Sequence, residues 1–558
     1  MVRATFSGFN TALSALQANQ KRLDITGQNL SNMNTAGYTR QQLEASSLNY
    51  TNPVSHYSNG NETAVGFGVS MDRVSQIRDP YLDIQYRSQS ADCSYTNRLQ
   101  TALNSLSKVL DETTISGIRQ AFDDVQSTLT SMQDPAKVSD PIYESELRTK
   151  MQSVCNLFNQ ASRQISQAEQ NEFQRLTGEG SSEQGDVQKI NDILRQIGDL
   201  NVQIKRNQVA GHPSLELQDE RNLLLDELSG YIPVETRYYK DDAHSGNNAY
   251  DYDANGAVIG KKDWPDDLEV SMNYIDAQGK IQKLILVNGS DLGADGLTKN
   301  YGQLSVLKGD HQTAASVSDP ANISIKFEKA PSYKGNGQAA ADVYAESKGI
   351  HFEGGSLQAS LDMLQKTGTG NVINGSTAVD DVRGYQYYSG KLDQLASTFA
   401  KSMNDINNKG KNPKDQNLLS NSTDDSTTGI TAGNIGISKG WTSGTIHIST
   451  DGTNRTDTVL DMIAAMKDTK KLNGKTFADY MNNLSTQLAS DSSSNQTALK
   501  TGTTVLNSIQ DSRDSLSGVS LDEEATNMMA YVSAYNAASR LMTALDEVLN
   551  TLISNTGA

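Results

Sequence analysis

Apolar residues at the start of the chain recur with the spacing of an amphipathic helix. Four of them fall seven positions apart, at Phe9, Leu16, Leu23 and Leu30. A heptad step returns a residue to the same face after two turns, so this spacing predicts one helix with a single apolar stripe. The run 31–37, rich in Asn, Ser, Thr and Gly, is typical of the turn that ends a helix.

The C-terminal segment carries a stronger heptad pattern. Its a positions are Leu521, Met528, Tyr535, Met542 and Leu549, and its d positions are Glu524, Tyr531, Ala538, Leu545 and Leu552. All but Glu524 are apolar, which predicts a helix of about 50 Å at 1.5 Å per residue. Burial of these apolar side chains contributes about 13–27 kcal/mol, which is less than the cost of ordering the segment. We therefore expect the stripe to pair with the N-terminal helix, with copies of itself, or with both.

Helical spacing also dominates much of the chain between the two ends. Residues from about 75 to 230 keep apolar positions three and four apart, and the pattern returns near 356–364, 388–406 and from 458 to the end. This spacing predicts a series of long helices contributed by both halves of the chain.

Two internal segments differ from the helical regions in composition and in the spacing of their apolar residues. Residues 236–350 are rich in Gly, Asp, Asn and Tyr and contain short strand-like runs, with a hairpin turn predicted at 276–279. A second segment, 409–457, is shorter, and a strand is predicted there near 445–448. Each interrupts a helical region, so each reads as an insert.

The predicted fold class is mainly α with β inserts. It comprises terminal coiled-coil-like helices, a long helical trunk built from both chain halves, and protruding β-rich domains. The expected domains are a terminal helical assembly domain (1–50 and 519–558), a helical trunk (51–235, 351–408 and 458–518), an inserted β-rich domain (236–350) and a small second β-rich insert (409–457).

Composition narrows the classes of partner. The formal net charge is −18, which argues against nucleic acids and anionic membrane surfaces because both repel an acidic chain. No apolar stretch approaches the roughly 18 residues of a membrane span, and the N-terminus lacks the continuous apolar core of a signal peptide. Cys93 and Cys155 match no metal or redox spacing, so we predict two free thiols on helices.

Candidate chemistry is sparse. Residues 251–256 copy the first half of a calcium loop, but Lys262 stands where the bidentate carboxylate is needed, which favours a polar turn. Residues 436–440 match G-x-S-x-G, but residues 441–444 do not read as the helix start that a nucleophile elbow requires. The six histidines are scattered singly, at His56, His212, His244, His311, His351 and His447. We therefore predict no catalytic, cofactor or metal site, and a protein that is not an enzyme.

The N-terminal segment goes beyond a generic amphipathic helix. Residues 24–40 read DITGQNLSNMNTAGYTR and resemble the signature shared by flagellar rod, hook and hook-associated proteins. The positions that carry this resemblance are Asn29, Asn32, Asn34, Gly37, Tyr38 and Arg40. Gln28 departs from it, since the family usually has Asn there.

The C-terminal segment resembles the junction members of the same family. Residues 517–524 read SGVSLDEE, with the resemblance carried by Gly518, Asp522 and Glu523 and a departure at Ser520, where Asn is frequent. Intermediate blocks are similar as well, at 65–69, 217–229, 354–357 and 399–407. At Asn222 the family often has Asp.

The resemblance implies a structural subunit at the junction between flagellar hook and filament that self-assembles through its terminal helices. It implies contacts with hook protein and a second junction protein, and an export chaperone on the C-terminal region. It also implies export through the flagellar type III apparatus, without a cleaved signal peptide, to the extracellular flagellum. The expected assembly interface consists of Phe9, Leu16, Leu23, Leu30, Leu521, Met528, Tyr531, Tyr535, Met542, Leu545, Leu549 and Leu552.

Two alternatives remain open at this point. One is another flagellar axial protein, against which the C-terminal signature and the chain length speak. The other is a flagellum-exported surface effector with activity in residues 236–350, which a closed pocket with convergent titratable groups would favour. The heptad residues could also belong to an intramolecular core.

Overall fold

The computed structural model describes most of the chain. The described residues are 6–48, 68–110, 117–240, 250–252, 258–261, 266–275, 280–289, 299–330, 343–345, 352–368, 382–409, 416–450 and 453–556. The predicted turn at 276–279 lies outside these ranges, as do residues 65–67 of the resembling block, Asp253–Gly256 and Lys262 of the calcium-like segment, and His56, His244 and His351.

Helices form the frame of the molecule, and strands occur in small groups. The helices are α1 (Phe6–Asn32), α2 (Pro80–Leu110), α3 (Ile118–Ser131), α4 (Pro135–Val138), α5 (Pro141–Thr177), α6 (Asp186–Val209), α7 (Leu215–Tyr231), α8 (Ser356–Gln365), α9 (Tyr385–Asn407), α10 (Lys439–Ser443), α11 (Asp457–Met466), α12 (Phe477–Ser517) and α13 (Leu521–Thr556). The strands are β1 (Gln41–Ser47), β2 (Val69–Gln76), β3 (Glu235–Lys240), β4 (Tyr250–Tyr252), β5 (Val258–Lys261), β6 (Asp266–Ile275), β7 (Ile281–Asn288), β8 (Gln303–Lys308), β9 (Ile323–Glu328), β10 (Val343–Ala345), β11 (Leu419–Asn421) and β12 (Ile435–Ile437).

This architecture confirms a mainly α fold with β inserts. The two terminal helices, α1 and α13, pack against each other, and α12 runs along α2. The predicted N-terminal helix is confirmed, and it ends at Asn32, two residues into the predicted turn sequence. The strands β1 and β2, which form a two-stranded antiparallel sheet after α1, were missed because those residues were assigned to helical domains.

The core of the trunk is a cluster of aromatic rings contributed by helices from both halves of the chain. Phe122 of α3 contacts the rings of Phe158, Phe399 and Phe477, with centroid separations of 5.9, 5.2 and 5.5 Å. All four rings are buried, and most of these contacts are edge-to-face, which is the favoured geometry for aromatic pairs. The trunk is therefore one packed unit that no single segment could complete alone.

The helices α2 and α12 approach closely through small side chains. A Cβ added at Gly502 would lie 3.0 Å from the Cys93 sulfur, so this glycine permits the contact. Cys93 on α2 and Cys155 on α5 are both free and buried, as predicted. Burial raises the pKa of the Cys155 thiol to about 12, which keeps it protonated and unreactive.

The larger insert contains sheets of order β3-β6-β7 and β8-β9-β10 and the pair β4-β5. Asparagines on or near α6 attach it to the trunk. Asn191 donates to the Leu304 carbonyl at 2.8 Å and accepts from the Leu304 N–H at 2.7 Å, as a neighbouring strand would. Asn201 donates to the carbonyls of Leu268 and Gly289. The amide side chains therefore complete the strand backbone and hold the insert in a defined orientation.

The smaller insert is held by α9 in the same manner. Asn404 donates to the Leu419 carbonyl at 2.7 Å and accepts from the N–H groups of Leu418 and Leu419. The predicted strand near 445–448 is wrong. Asn407 binds the His447 carbonyl and the Ser449 N–H, so this segment is held by a helix side chain instead of a strand partner.

Candidate assembly site at the terminal helices and their junction with the trunk

The seam between α1 and α13 is narrow and lined by small residues on the α1 side. The most buried apolar residues of α1 are Ala12, Ala18 and Ile25, whereas the predicted heptad residues Phe9, Leu16, Leu23 and Leu30 are only half-buried. A Cβ added at Gly8 would lie 3.4 Å from the Leu545 side chain. Short side chains on α1 thus let α13 approach closely.

The α13 side of the seam follows the predicted heptad for most of its length. Glu524 and Ala538 are buried, and Met528, Tyr531, Met542, Leu545 and Leu549 are half-buried. The guanidinium of Arg22 lies over the Tyr531 ring, 5.6 Å from its centroid. The predicted interface residues Leu521, Tyr535 and Leu552 are exposed in the single chain.

Additional apolar side chains flank this seam and were missed by the heptad pattern. They are Met529, Val532, Leu541, Val548 and Ile553, each between 43% and 66% exposed. Because they lie outside the a and d positions, only the burial pattern of the folded chain identifies them. The helix pair therefore presents a broad apolar surface that its own partner helix does not cover.

The motif residues Asn29 and Tyr38 bind the start of β1 at its outer edge. Asn29 Nδ2 donates to the Gln41 carbonyl and the Gln41 N–H donates to Asn29 Oδ1, both at 3.0 Å. The Tyr38 hydroxyl donates to the same Asn29 oxygen at 2.9 Å. Burial, and after it the charge of Glu216, raises the pKa of Tyr38 to about 12, so the phenol remains a donor at neutral pH.

Gly37 and the remaining N-terminal motif residues shape the turn. Gly37 has φ +78°, a left-handed conformation that other residues adopt only with strain. Asn32 donates to the Gln28 carbonyl at 3.0 Å and accepts from the Thr35 hydroxyl. Asn34 is exposed at the tip of the turn.

Arg40 joins this turn to the start of α13. Its guanidinium binds Glu524 and Glu523, each at 2.8 Å. The backbone N–H of Arg40 donates to the Ser517 carbonyl at 2.9 Å. Glu524 has only 2% of its side chain exposed, so the polar exception in the heptad is a buried carboxylate with an arginine partner. Asp522 lies exposed in the same helical turn, away from this ion pair.

Gly518 permits the sharp change of direction between α12 and α13. A Cβ there would lie 2.3 Å from the Asp514 carbonyl oxygen, a distance no other residue could accept without moving the chain. Gly37 and Gly518 are thus each required by local backbone geometry.

A second group of polar side chains connects the turn after α1 and the start of α13 to the trunk. The sequence analysis did not predict this group. The Thr39 N–H donates to Asp219 Oδ2 at 3.1 Å, and the Arg78 guanidinium lies 4.0 Å from Asp219 Oδ1. Arg78 also forms an ion pair with Asp83 at the start of α2. The sequence signals in this part of the chain were the resembling block at 217–229, which contains Asp219, and the resembling region around Asp79, next to Arg78.

The end of α12 enters the same network. Arg513 binds Asp83 at 3.1 Å and Asp226 at 2.7 Å, with its guanidinium 4.2 Å from the Tyr86 ring centroid. Arg87 binds the other oxygen of Asp226 at 2.8 Å. We call the eight residues Arg40, Arg78, Asp83, Arg87, Asp219, Asp226, Arg513 and Glu524 the polar latch. It connects the turn after α1, the starts of α2 and α13, α7 and the end of α12.

The G-x-S-x-G segment differs from the expectation in one respect. A helix does follow it, because α10 begins at Lys439, and the Ser438 hydroxyl accepts from the Trp441 N–H at 3.2 Å. The same hydroxyl donates to the Asn417 carbonyl at 2.6 Å. Ser438 therefore serves as a helix cap whose hydroxyl is engaged in both directions.

Within the described ranges, no group of three or more His, Cys, Asp or Glu side chains is placed to hold a metal ion. His447 contacts the Glu144 carboxylate at 3.2 Å and is largely exposed. The described helices include none that is long and apolar enough to span a membrane.

Three family models match the chain. The Flagella basal body rod protein model matches residues 9–39, the Flagellar hook-associated protein FlgK helical domain matches 103–254, and the Flagellar basal body rod FlgEFG protein C-terminal model matches 512–555. The two terminal matches coincide with α1 and its turn, and with the end of α12 and α13.

Individual proteins match as well. Flagellar hook-associated protein 1 of Bacillus subtilis (strain 168) is 28% identical over 569 aligned positions, which cover 99% of each chain. The Salmonella typhimurium (strain LT2) protein of the same name is 29% identical over 230 positions, 40% of this chain and 38% of its own. The structure of the flagellar hook junction protein FlgK from Burkholderia pseudomallei aligns with 61% of this chain and 46% of its own, with a TM-score of 0.39 and 20% identity.

The rod-type ends around a helical trunk define a structural protein of the bacterial flagellum. Within that class, the chain is similar along its whole length to flagellar hook-associated protein 1, and the helical-domain model that it matches is named for the same kind of protein.

Proposed function

We propose that this chain is the non-catalytic subunit that forms the junction between hook and filament, and that its copies associate through α1 and α13. The main observation that supports this proposal is the apolar surface on both sides of the α1–α13 seam. Residues such as Val548 (55% exposed) and Leu541 (49% exposed) are not covered by the one partner helix. Neighbouring copies offer the same apolar helices as a covering surface.

The polar latch has a supporting role in this proposal. Buried charge pairs contribute little net stability, but they accept only one geometry because a misplaced partner leaves a charge unpaired. The latch would therefore set the direction in which the helix pair leaves the trunk, so that identical copies present their apolar surfaces at the same angle. In this arrangement the predicted trunk domain packs around the tube and the two inserts project outward.

Hook protein and a second junction protein are the proposed neighbours along the flagellum. Before assembly, an export chaperone would shield the C-terminal region, since the exposed side chains of α13 would otherwise promote aggregation. We further propose export through the flagellar apparatus without a cleaved signal peptide, to the extracellular flagellum.

Deletion of residues 521–558 tests the proposal. The trunk core contains no residue from this segment, so the shortened chain should remain folded while cells shed flagellin into the medium and lack attached filaments. Circular dichroism of the purified chain and quantification of flagellin in the medium measure the two effects. Normal filaments on such cells would contradict the proposal.

Point variants separate assembly from folding more finely. We expect Val532→Ser combined with Leu541→Ser to change the free energy of unfolding by less than about 1 kcal/mol, because both side chains are exposed. The same variant should reduce the number of attached filaments. Ile142→Ser is the matched control, since Ile142 is a 73% exposed apolar residue on the trunk and should affect neither measurement.

A further inference from the structure

The outer edge of β2 has backbone groups that no described residue binds. The Ile77 N–H donates to the Arg40 carbonyl at 2.9 Å, beside the paired residues Gln41 and Gln76. Backbone amides alternate in direction along a strand, so the N–H groups of Val74 and Gln76 point away from β1. Among the described residues, β2 pairs only with β1.

The opposite edge of the same sheet is bound at Gln41. There the Gln41 N–H and carbonyl are bound by the side-chain amide of Asn29, as a third strand would bind them. Gln76, which lies opposite Gln41, has no such backbone partner on its outer side among the described residues. An unpaired strand edge is a ready template for another polypeptide segment.

A cavity of about 420 Å³ opens along the β2 edge. Arg73, Val74, Ser75 and Gln76, four consecutive residues of β2, line it. Consecutive strand residues point to opposite faces, so a cavity that meets all four runs along the strand edge and not across one face. No residue of β1 lines it.

One polar atom of the cavity lining has no hydrogen-bond partner among the described residues. It is the buried Gln208 Oε1. Buried polar atoms are normally satisfied, so this oxygen is an exception in the wall of the cavity.

The cavity lining combines charged and apolar side chains. Arg73, Arg78, Asp83 and Arg87 line it, and so do Ile84 and Tyr238, which are 56% and 50% exposed. A free strand edge gives affinity through main-chain hydrogen bonds, and adjacent pockets select side chains. The combination fits an extended polypeptide and does not fit a simple ion, which would leave the exposed apolar side chains and the row of amides uncovered.

We infer that the β2 edge and this cavity bind an extended segment of a second copy of the chain, which pairs with β2 as a third strand. The inference rests on the proposed function, in which identical copies lie side by side. The site is continuous with the proposed interface, because Arg78 and Asp83 belong both to the cavity lining and to the polar latch at the base of the α1–α13 pair.

Hydrogen exchange on the full-length chain tests the inference directly. The Val74 and Gln76 amides should exchange at least about tenfold more slowly in isolated hook–filament junctions than in the unassembled chain. The Gln41 amide, already bound to Asn29, serves as the internal control and should change little. Equal exchange rates at Val74 in the two states would overturn the inference. So would protection that appears on mixing with another flagellar protein but not with further copies of this chain.

A pair of proline variants tests the edge in cells. Val74→Pro removes an outward N–H without removing a bond to β1, and should lower the number of attached filaments. Leu43→Pro is the matched control, because Leu43 pairs with Val74 and its N–H points to the opposite edge. Equal filament numbers in the two strains would contradict the inference.

A cavity-filling variant covers the case in which proline disturbs folding. Gln208→Trp places bulk in the cavity and should also lower filament number, while Gln203→Trp, on the exposed side of α6, should not. If the deletion of 521–558 abolishes attachment but Val74→Pro and Gln208→Trp do not, this inference fails and the proposed function stands. If the deletion has no effect, the proposed function itself fails.

Discussion

The trunk and the terminal helix pair are both built from long amphipathic helices, but they differ in how much apolar surface they cover. In the trunk, Phe122 and its three neighbouring rings come from four helices and are fully buried. In the terminal pair, Tyr531 is only half-buried, and Met529 on the same helix is 66% exposed.

Geometry explains the difference. A helix surrounded by several others can bury apolar residues on most of its circumference, whereas a helix with one partner can bury a single stripe. An apolar surface wider than one stripe is consistent with a unit that is completed by other molecules. The trunk is therefore stable within one chain, and the pair depends on assembly for full burial.

The largest expected effect is in the trunk. Phe122→Ala should lower the free energy of unfolding by about 3–5 kcal/mol, because it leaves a cavity among four packed rings. Tyr531→Ala in the terminal pair should cost about 1 kcal/mol, since that ring is half exposed in the single chain. Urea unfolding followed by circular dichroism measures both. Similar losses for the two variants would break the contrast between the regions.

An intermediate effect is expected where the two regions meet. Arg40→Ala should cost about 2–4 kcal/mol, because it leaves the Glu524 carboxylate buried without its cation. Adding Glu524→Gln removes that charge and should recover about 1–2 kcal/mol, whereas adding Glu523→Gln should recover little because Glu523 is exposed. Denaturant titrations of the single and double variants give the coupling. If the Glu524 and Glu523 changes recover the same amount, burial of the Glu524 charge is not the cause of the stability lost in Arg40→Ala.

The smallest expected effect concerns pH. Burial raises the pKa of Asp219 above its ordinary value, so the folded chain binds this proton more readily than the unfolded chain. This residue's contribution to stability therefore falls as pH rises through the window between its ordinary pKa and its raised folded pKa. The Asp219→Asn chain has no ionisable group at this position, so its stability does not fall with pH for this reason. The Asn side-chain oxygen can still accept from the Thr39 N–H.

The free energy of unfolding of Asp219→Asn, relative to the unmodified chain, should consequently increase with pH across that window. Paired denaturant titrations below and above it measure the difference. Glu220→Gln, an exposed change on the same helix, is the control and should show no such trend. A difference that decreases with rising pH would show that the Arg78 interaction outweighs desolvation at Asp219.

Periodic features of the sequence predicted the long helices well. The seven-residue step indicated both α1 and the inward face of α13, because residues on the buried side of a helix recur at fixed intervals in the sequence. The strands β1 and β2 were missed, since both are only partly buried and neither shows a clean alternation of apolar and polar residues. The asparagines that hold the inserts were also missed, because a helix-borne Asn looks the same in sequence whether it faces solvent or a strand.

The predicted domain boundaries and the role of the heptad residues in assembly remain predictions. For Leu521, Tyr535 and Leu552, the structure adds that they are exposed in the single chain and therefore available to a neighbour. Their resemblance to a family motif could not show this, since a motif marks positions and not their surroundings.

The sequence by itself determined the helical character of both ends, the apolar stripe on each and the family resemblance, because these depend on residues close together in the chain. Only the tertiary structure decided which charges pair. Arg40 meets Glu524, Thr39 meets Asp219, and Arg513 meets both Asp83 and Asp226, across separations of 180 residues or more. The sequence around one Arg or Asp does not distinguish it from another, so the packing of the helices determines which charges meet. The same packing binds Gln41 at one edge of a two-stranded sheet and leaves the Val74 and Gln76 amides at the other edge without a partner among the described residues.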